Sequence, residues 1–232
     1  MPEIPYGGSE LETFAQAVNW KRYLRDMMAP YVSGDVLEVG AGIGTTMRAL
    51  RTGTERSWTC LEPDPAMAAQ LVRETAADDT KTGVVTGTLD DLGGAAFDTI
   101  LYVDVLEHIE DDRAEVQRAA RRLRSGGRLL VMSPAHQFLF SPFDAQIGHF
   151  RRYSASALRA LTPSGLELES VRYLDATGLL LSAANKLLLR SRMPTLAQVL
   201  TWDRRFVPVS RTIDPLLGHA VGKSVLAIWR AL

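Results

Sequence analysis

The sequence predicts an α/β fold in which helices wind both faces of a mostly parallel sheet. Three observations carry that reading. Short apolar runs alternate with helix-period segments through the first 135 residues. A glycine-rich turn directly follows the first apolar run. The composition, 46% apolar and 23% charged over 232 residues, is that of a globular chain long enough to bury a substantial core. Lys and Arg (26) nearly balance Asp and Glu (27), so no basic field points to nucleic acid. The single cysteine, Cys60, excludes an internal disulfide framework and a Cys-rich zinc site. The opening residues carry no secretory pattern, and no run approaches the ~18 to 20 apolar residues of a membrane span, so the expectation is a soluble cytoplasmic chain.

The elements follow in order. Residues 11–31 have helical periodicity, and 35–39 form an apolar run that breaks into glycines. A helix over 45–51, a strand over 57–61 and a helix over 65–74 come next, the last opened by a proline suited to a first turn. Val84-Val85 is a third strand and 97–103 a fourth. A helix over 113–123 is expected to stop at Ser125-Gly126-Gly127, before a fifth strand over 128–132. Residues 166–174 and 224–229 read as two more strands. Between them lies a largely helical, apolar insertion at 176–220, far longer than the usual connection of about 4 to 6 residues.

The most informative segment is Glu38-Val39-Gly40-Ala41-Gly42-Ile43-Gly44, between the first strand and its helix. Gly40 and Gly42 allow a tight turn and close backbone approach to a ligand, and Gly44 allows the helix to pack. The spacing G-x-G-x-G, with an acid two residues ahead, departs from the dinucleotide pattern G-x-G-x-x-G and disfavours a nicotinamide oxidoreductase. A carboxylate beside that turn repels a pyrophosphate and suits an amino-bearing ligand. Glu62 closes the second strand, where an acid can accept both hydroxyls of a ribose. An anchor for ribose and a carboxylate near an amine fit S-adenosylmethionine better than NAD.

At these residues the chain resembles the class I S-adenosylmethionine-dependent methyltransferases. The matching segments are 36–44, Glu62, 97–100 and Asp104-Val105-Leu106-Glu107-His108-Ile109, spread over residues 36 to 133 in the family's order. The resemblance implies a Rossmann-like, seven-stranded sheet with an antiparallel last strand, and S-adenosyl-L-methionine as cofactor. It implies that Glu38, Gly40, Gly42 and Gly44 hold the methionine part and that Glu62, followed by Pro63, holds the ribose. Where the family often has an acid after strand three, this chain has Thr88, leaving Leu89 to pack on the adenine ring and Asp90 to meet its amino group. The implied organisation is one domain over 1–232: a helical cap at 1–34, a cofactor-binding core at 35–135 and an acceptor-side half at 136–232. Asn19-Trp20-x-x-Tyr23 and Gly148-His149-Phe150-Arg151-Arg152-Tyr153 resemble a narrower subgroup found beside polysaccharide, lipid and secondary-metabolite genes.

Methyl transfer from a sulfonium needs alignment and exclusion of water, and a base only where the acceptor is protonated. The candidates for that chemistry are His136, just past strand five, His149, in a loop rich in Phe and His, and Asp104, just past strand four. His108 and His219 read as structural, Arg151-Arg152 as a grip on an acidic acceptor or a solvated pair, and no His/Asp/Glu spacing demands a metal. The expected acceptor is a small molecule or a lipid- or saccharide-linked intermediate. Alternatives are a non-catalytic protein of this fold that binds a partner, disfavoured by the intact Glu38, Gly40, Gly42 and Glu62, and an aminopropyl transferase, disfavoured by the Phe-rich loop. For the insertion, three readings compete: a helix buried on every side, a cover over a greasy acceptor, or a dimer or peripheral-membrane face. Its leucines, Leu179 to Leu181 and Leu187 to Leu189, are too many for one ordinary buried stripe.

Overall fold

A computed structural model describes residues 9–75, 81–186 and 194–232. One seven-stranded sheet organises the chain in the order β3-β2-β1-β4-β5-β7-β6. Strands β1 (Asp35–Val39), β2 (Ser57–Glu62), β3 (Thr82–Thr86), β4 (Phe97–Val103) and β5 (Leu123–Pro134) pair in parallel. Strand β7 (Ser224–Ala231) runs antiparallel between β5 and β6 (Leu166–Leu174), as the resemblance implies. Central strands β1 and β4 are apolar on both faces because each face is covered: Val36, Leu37, Ile100 and Leu101 are wholly buried. Chain order reverses between β1 and β4, and crevices at such a switch point are where doubly wound sheets bind ligands.

Helices α3 (Thr45–Leu50), α4 (Pro65–Thr75) and α5 (Asp112–Ala120) make the crossovers. Two local expectations change. The segment 11–31 is not one helix: α1 (Ser9–Ala15) and α2 (Val18–Met28) are separated at Gln16-Ala17, where Ala17 has a non-helical ψ of 75° and is fully buried. Ser125-Gly126-Gly127 does not cap α5, which ends at Ala120. These residues belong to β5, where the pairing jumps from Phe97↔Leu123 to Thr99↔Arg128, so the glycines form a bulge in the strand, with Gly126 at φ +77°.

After β5 come the short helices α6 (Pro142–Gln146) and α7 (Ala155–Ala160). The insertion holds α8 (Ala176–Ala184), α9 (Leu196–Thr201) and α10 (Val207–Leu216), the last two joined by a π-helical turn, Trp202–Phe206. The reading of 176–220 as a helix buried all round fails for α8: Leu180 is 70% exposed and Leu181 36%. Leu187 to Leu189 lie outside the described residues. The insertion instead clasps the N-terminal helices through buried carboxylates. Asp203 accepts from Asn19 N and Nδ2 and from Trp20 N, and Asp214 accepts from the Tyr23 hydroxyl at 2.7 Å. The Trp20 ring also packs 5.6 Å from that of Trp202. Asn19-Trp20-x-x-Tyr23 is therefore the seam that fixes α2 over the carboxyl ends of the strands. Among the described residues no helix is long and apolar enough to cross a membrane.

Candidate functional site

A cavity of about 390 Å³ opens at the carboxyl ends of β1, β2 and β4. Its floor is the turn Gly40-Ala41-Gly42-Ile43 with Thr45 and Thr46, its far wall Glu62, Pro63, Asp64 and Met67, and its near wall Val103, Asp104, Val105 and His108. Leu11 and Phe14 of α1 and Trp20, Lys21 and Leu24 of α2 roof it. Sequence reading missed this roof and Lys21 within it, since nothing in a run of helix-period residues says which strand ends they cover.

Each glycine has a separate physical reason. All three of Gly40, Gly42 and Gly44 have positive φ, the left-handed region that side chains disfavour. A Cβ on Gly40 would overlap Val105, and one on Gly44 would stand 2.5 Å from Leu71, so Gly44 serves the packing of α4 and does not line the cavity. At Gly42 the only neighbour of a Cβ within 4 Å among the described residues is the Leu11 side chain at 3.4 Å, and Gly42 lines the cavity. The Gly42 N–H donates to Glu62 Oε2 at 2.7 Å, and Asp64 N–H donates to Oε1 at 2.9 Å. Two donors hold Glu62 in place while its remaining lone pairs are open to further donors. Burial pushes its carboxyl upward in pKa, and the two backbone N–H groups oppose that shift.

Glu38 is placed behind the turn, 2% exposed, and accepts from Trp58 Nε1 at 2.9 Å. Burial raises its carboxyl to about 8. It does not line the cavity, so it reaches a ligand only through the turn it supports. Thr88, Leu89 and Asp90 also lie outside the cavity lining: Thr88 shares a capping box with Asp91, and Leu89 is buried in the core. Asp104, at φ +55°, is exposed on the cavity wall just past β4. Its carboxyl is raised to about 6 by desolvation, against which His149, Lys223 and Arg152 act.

Neither His136 nor His149 lines that cavity. His136 stacks on Tyr173 at 4.9 Å, and its Nε2 lies 2.9 Å from the Gly222 carbonyl. His149 belongs to a buried polar cluster behind the cavity wall. Its Nδ1 is 3.0 Å from Asp144 Oδ1, its Nε2 3.8 Å from Glu107 Oε1, and its ring meets that of His108 edge-on at 4.5 Å. Arg152 reaches Asp144 through two nitrogens, at 2.8 and 3.0 Å, and is a buried structural partner there. Arg151 pairs with Asp112 at 2.7 Å. His219 contacts the Tyr173 carbonyl at 3.2 Å and stays away from the site. The fold thus gathers Asp104, Glu107, His108 and His149, which are up to 45 residues apart in sequence, a grouping that spacing alone does not reveal.

The sheet order and the crevice between β1 and β4 define the class I S-adenosylmethionine-dependent methyltransferase fold. Residues 37–129 match the family model described as a methyltransferase domain. The chain is 31% identical over 135 residues to demethylmenaquinone methyltransferase of Tropheryma whipplei, a match spanning 56% of this chain and 55% of that protein. The chain therefore aligns with only about half the length of the curated relatives it matches. Coclaurine N-methyltransferase bound to N-methylheliamine and S-adenosylhomocysteine superposes with a TM-score of 0.65 at 11% identity, covering 98% of this chain and 82% of that one. The N-methyltransferase NodS of Bradyrhizobium japonicum, solved with S-adenosylhomocysteine, gives 0.56 at 16% identity, covering 99% and 89%. Fold and family model agree: residues 37–129 match a methyltransferase domain, and the neighbours share the fold of the whole described sheet.

Proposed function

We propose that the chain transfers the methyl group of S-adenosylmethionine to a small-molecule, lipid-linked or saccharide-linked acceptor. The observation that carries this reading is the pairing of Glu62 with the open backbone at Gly42 across one cavity. In it Glu62 accepts the two ribose hydroxyls, and the Gly40–Gly42 backbone meets the methionine portion without a side chain in the way. Lys21, whose Nζ donates to the Ala15 carbonyl at the roof, is the cation placed to meet the methionine carboxylate. Asp104 supplies a negative group near the sulfonium. The bound cofactor brings an already activated methyl group, so the protein's task is to align the acceptor and keep water out. The roof of α1 and α2 does the second, and the polar wall at Asp104 and His108 faces the acceptor.

The names of the relatives, acting on demethylmenaquinone or coclaurine, support a small-molecule acceptor. The exposed Leu180 and Leu181 of α8, together with Phe138 at 61% exposure, support a hydrophobic one. Lys186, two residues past α8, donates to the Phe138 and Phe140 carbonyls, which ties the insertion to the loop after β5. The same apolar surface would serve a dimer or a peripheral membrane contact in place of an acceptor. Calorimetric titration with S-adenosylhomocysteine tests the cofactor reading: about one site per chain with micromolar affinity is expected, and the absence of heat would leave a non-catalytic member of the fold. Methylation assays with hydroxylated, aminated and prenylated acceptors then test the rest.

A further inference from the structure

The cluster behind Asp104 contains a carboxylate whose chemistry is incomplete. Glu107 is 0% exposed, and among the described residues neither of its carboxylate oxygens has a hydrogen-bond partner of good geometry; the buried Ser133 hydroxyl near it is likewise unpaired. Burying an unpaired polar group costs several kcal/mol at roughly the upper end, more if it is charged, so such a group implies a ligand or a cation. What faces it is His149. Asp144 is held by two nitrogens of Arg152 and by the backbone and hydroxyl of Ser141, and those contacts keep it an acceptor. His149 Nδ1 then carries the proton that it donates to Asp144, and in the neutral ring the Nε2 lone pair is turned toward Glu107 Oε1. That separation, 3.8 Å, is too long for a hydrogen bond. Two ligands at roughly 2.0 to 2.2 Å from one tetrahedral ion stand about 3.3 to 3.6 Å apart, so a small approach of the two side chains lets them share an ion.

We propose that Glu107, His108 and His149 bind a divalent transition-metal ion, Zn²⁺ or one of similar preference, at the inner end of the cavity wall. One ligand atom from each of the three lies within 4.8 Å of the others. Two imidazoles and one carboxylate select Zn²⁺, Co²⁺, Mn²⁺ or Fe²⁺ over the all-oxygen preferences of Mg²⁺ and Ca²⁺. The scaffold is fixed on both sides. Phe150 N–H donates to the Glu107 carbonyl and His149 N–H to the Asp144 carbonyl, both at 2.8 Å, so the loop and the turn after β4 cannot drift apart independently. Asp144 behind His149 is the outer carboxylate that orients many metal-binding histidines. Because His108 also lines the cavity, an ion held by it would lie close to where an acceptor would sit. A hydroxyl or enol oxygen held there would lose its proton more readily. That role rests on the methyl-transfer reading; metal binding itself does not.

The test uses the full chain stripped with a chelator. Calorimetric titration with ZnCl₂ should show about one ion per chain with micromolar affinity or better, and Co²⁺ should give visible absorption from nitrogen and oxygen ligands. Glu107→Gln and His149→Ala should each weaken Zn²⁺ by 100-fold or more, and Asp144→Asn by about 10- to 100-fold, with circular dichroism confirming the fold. Anomalous scattering from a zinc-soaked crystal decides the position even if a variant fails to fold. No stoichiometric uptake by the unmodified chain, an ion bound elsewhere, or folded ligand variants with unchanged affinity would overturn the proposal. A parallel titration of the metal-free chain with S-adenosylhomocysteine separates the failures. Heat with that ligand but none with zinc sinks the metal alone, and the reverse sinks the cofactor reading alone.

Discussion

The two halves of the sheet build their sites by different means. On the β1–β3 side, the ligand surface is mostly backbone and one acid: Gly40 and Gly42 leave space, and Glu62 fastens the turn through Gly42 N–H. On the β4–β7 side, the surface is made of titratable side chains held by one another: Asp104, Glu107, His108 and His149, backed by Asp144 and Arg152. In the proposed reading the first half would hold the cofactor, for which a short rigid turn suffices. The second would meet the reacting group with side chains drawn from elements far apart in sequence.

That difference also governs what was legible beforehand. The glycine turn and Glu62 lie within 25 residues of Glu38 and are bound to strand ends, so local pattern and spacing expose them. The seven strands were likewise readable as apolar runs bounded by turn residues, whereas the antiparallel direction of β7 followed from the family resemblance alone. The metal-like cluster was not. Glu107 and His149 meet only because α6 and the loop after it fold back onto the turn following β4, a tertiary event without a period. The break between α1 and α2 was also hidden, since buried Ala17 keeps the apolar rhythm while leaving the helix. Ser125-Gly126-Gly127 misled for a similar reason: glycines that end a helix and glycines that bulge a strand look alike in sequence.

The comparison predicts separable effects, and the largest is at the turn. Gly42→Val should lower S-adenosylhomocysteine affinity by about 100-fold or more, roughly 2.7 kcal/mol, because a branched side chain enters the cavity and φ +53° suits it poorly. Gly53→Val is the control: its φ is also positive, at +85°, but among the described residues nothing lies within 4 Å of where its Cβ would be. It shares the strain without touching the ligand, so its affinity should match the unmodified chain. Equal losses in both would mean that backbone strain and not the cavity explains the effect.

Next in size, Glu62→Ala should weaken the cofactor by roughly 1.5 to 3 kcal/mol, the range for hydrogen bonds to a charged group. Glu62→Gln should recover part of this, since an amide oxygen can still accept from Gly42 N–H. His149→Ala should show the opposite split, a turnover at least tenfold lower with cofactor affinity kept within about threefold, which is under 1 kcal/mol. If His149→Ala loosens the cofactor as much as Glu62→Ala does, the two halves do not act separately.

A smaller effect concerns stability. Glu38 is raised from an ordinary 4.5 to about 8 by burial, so the folded state holds its proton more tightly than the unfolded chain. The stability from that proton is complete below about pH 4.5 and is lost as pH rises through about 8. Glu38→Gln keeps an acceptor for Trp58 Nε1 and removes the titration. Urea unfolding at about pH 5 and about pH 9 should show the unmodified chain losing more stability over that interval than the variant. Parallel losses would mean that Glu38 stays ionised.

The smallest effect tests the insertion. Leu180 is 70% exposed on α8, so Leu180→Asn should change unfolding free energy by no more than about 0.5 kcal/mol. If α8 covers a hydrophobic acceptor, the same change removes apolar contact only when that acceptor is bound. Losing part of a leucine's burial, roughly 1 kcal/mol, should then raise the acceptor's KM about fivefold and leave S-adenosylhomocysteine affinity alone. A dimer face would instead show as a concentration-dependent mass in sedimentation that the substitution abolishes. A membrane face would show as lost binding to vesicles with KM for a water-soluble acceptor unchanged. Because these three readouts are independent, a variant that moves none of them would free α8 from any role in recognition. The work of 176–220 would then be the clasp that Asp203 and Asp214 make on α2, where Asp214→Ala should loosen the cavity roof by removing the acceptor of the Tyr23 hydroxyl.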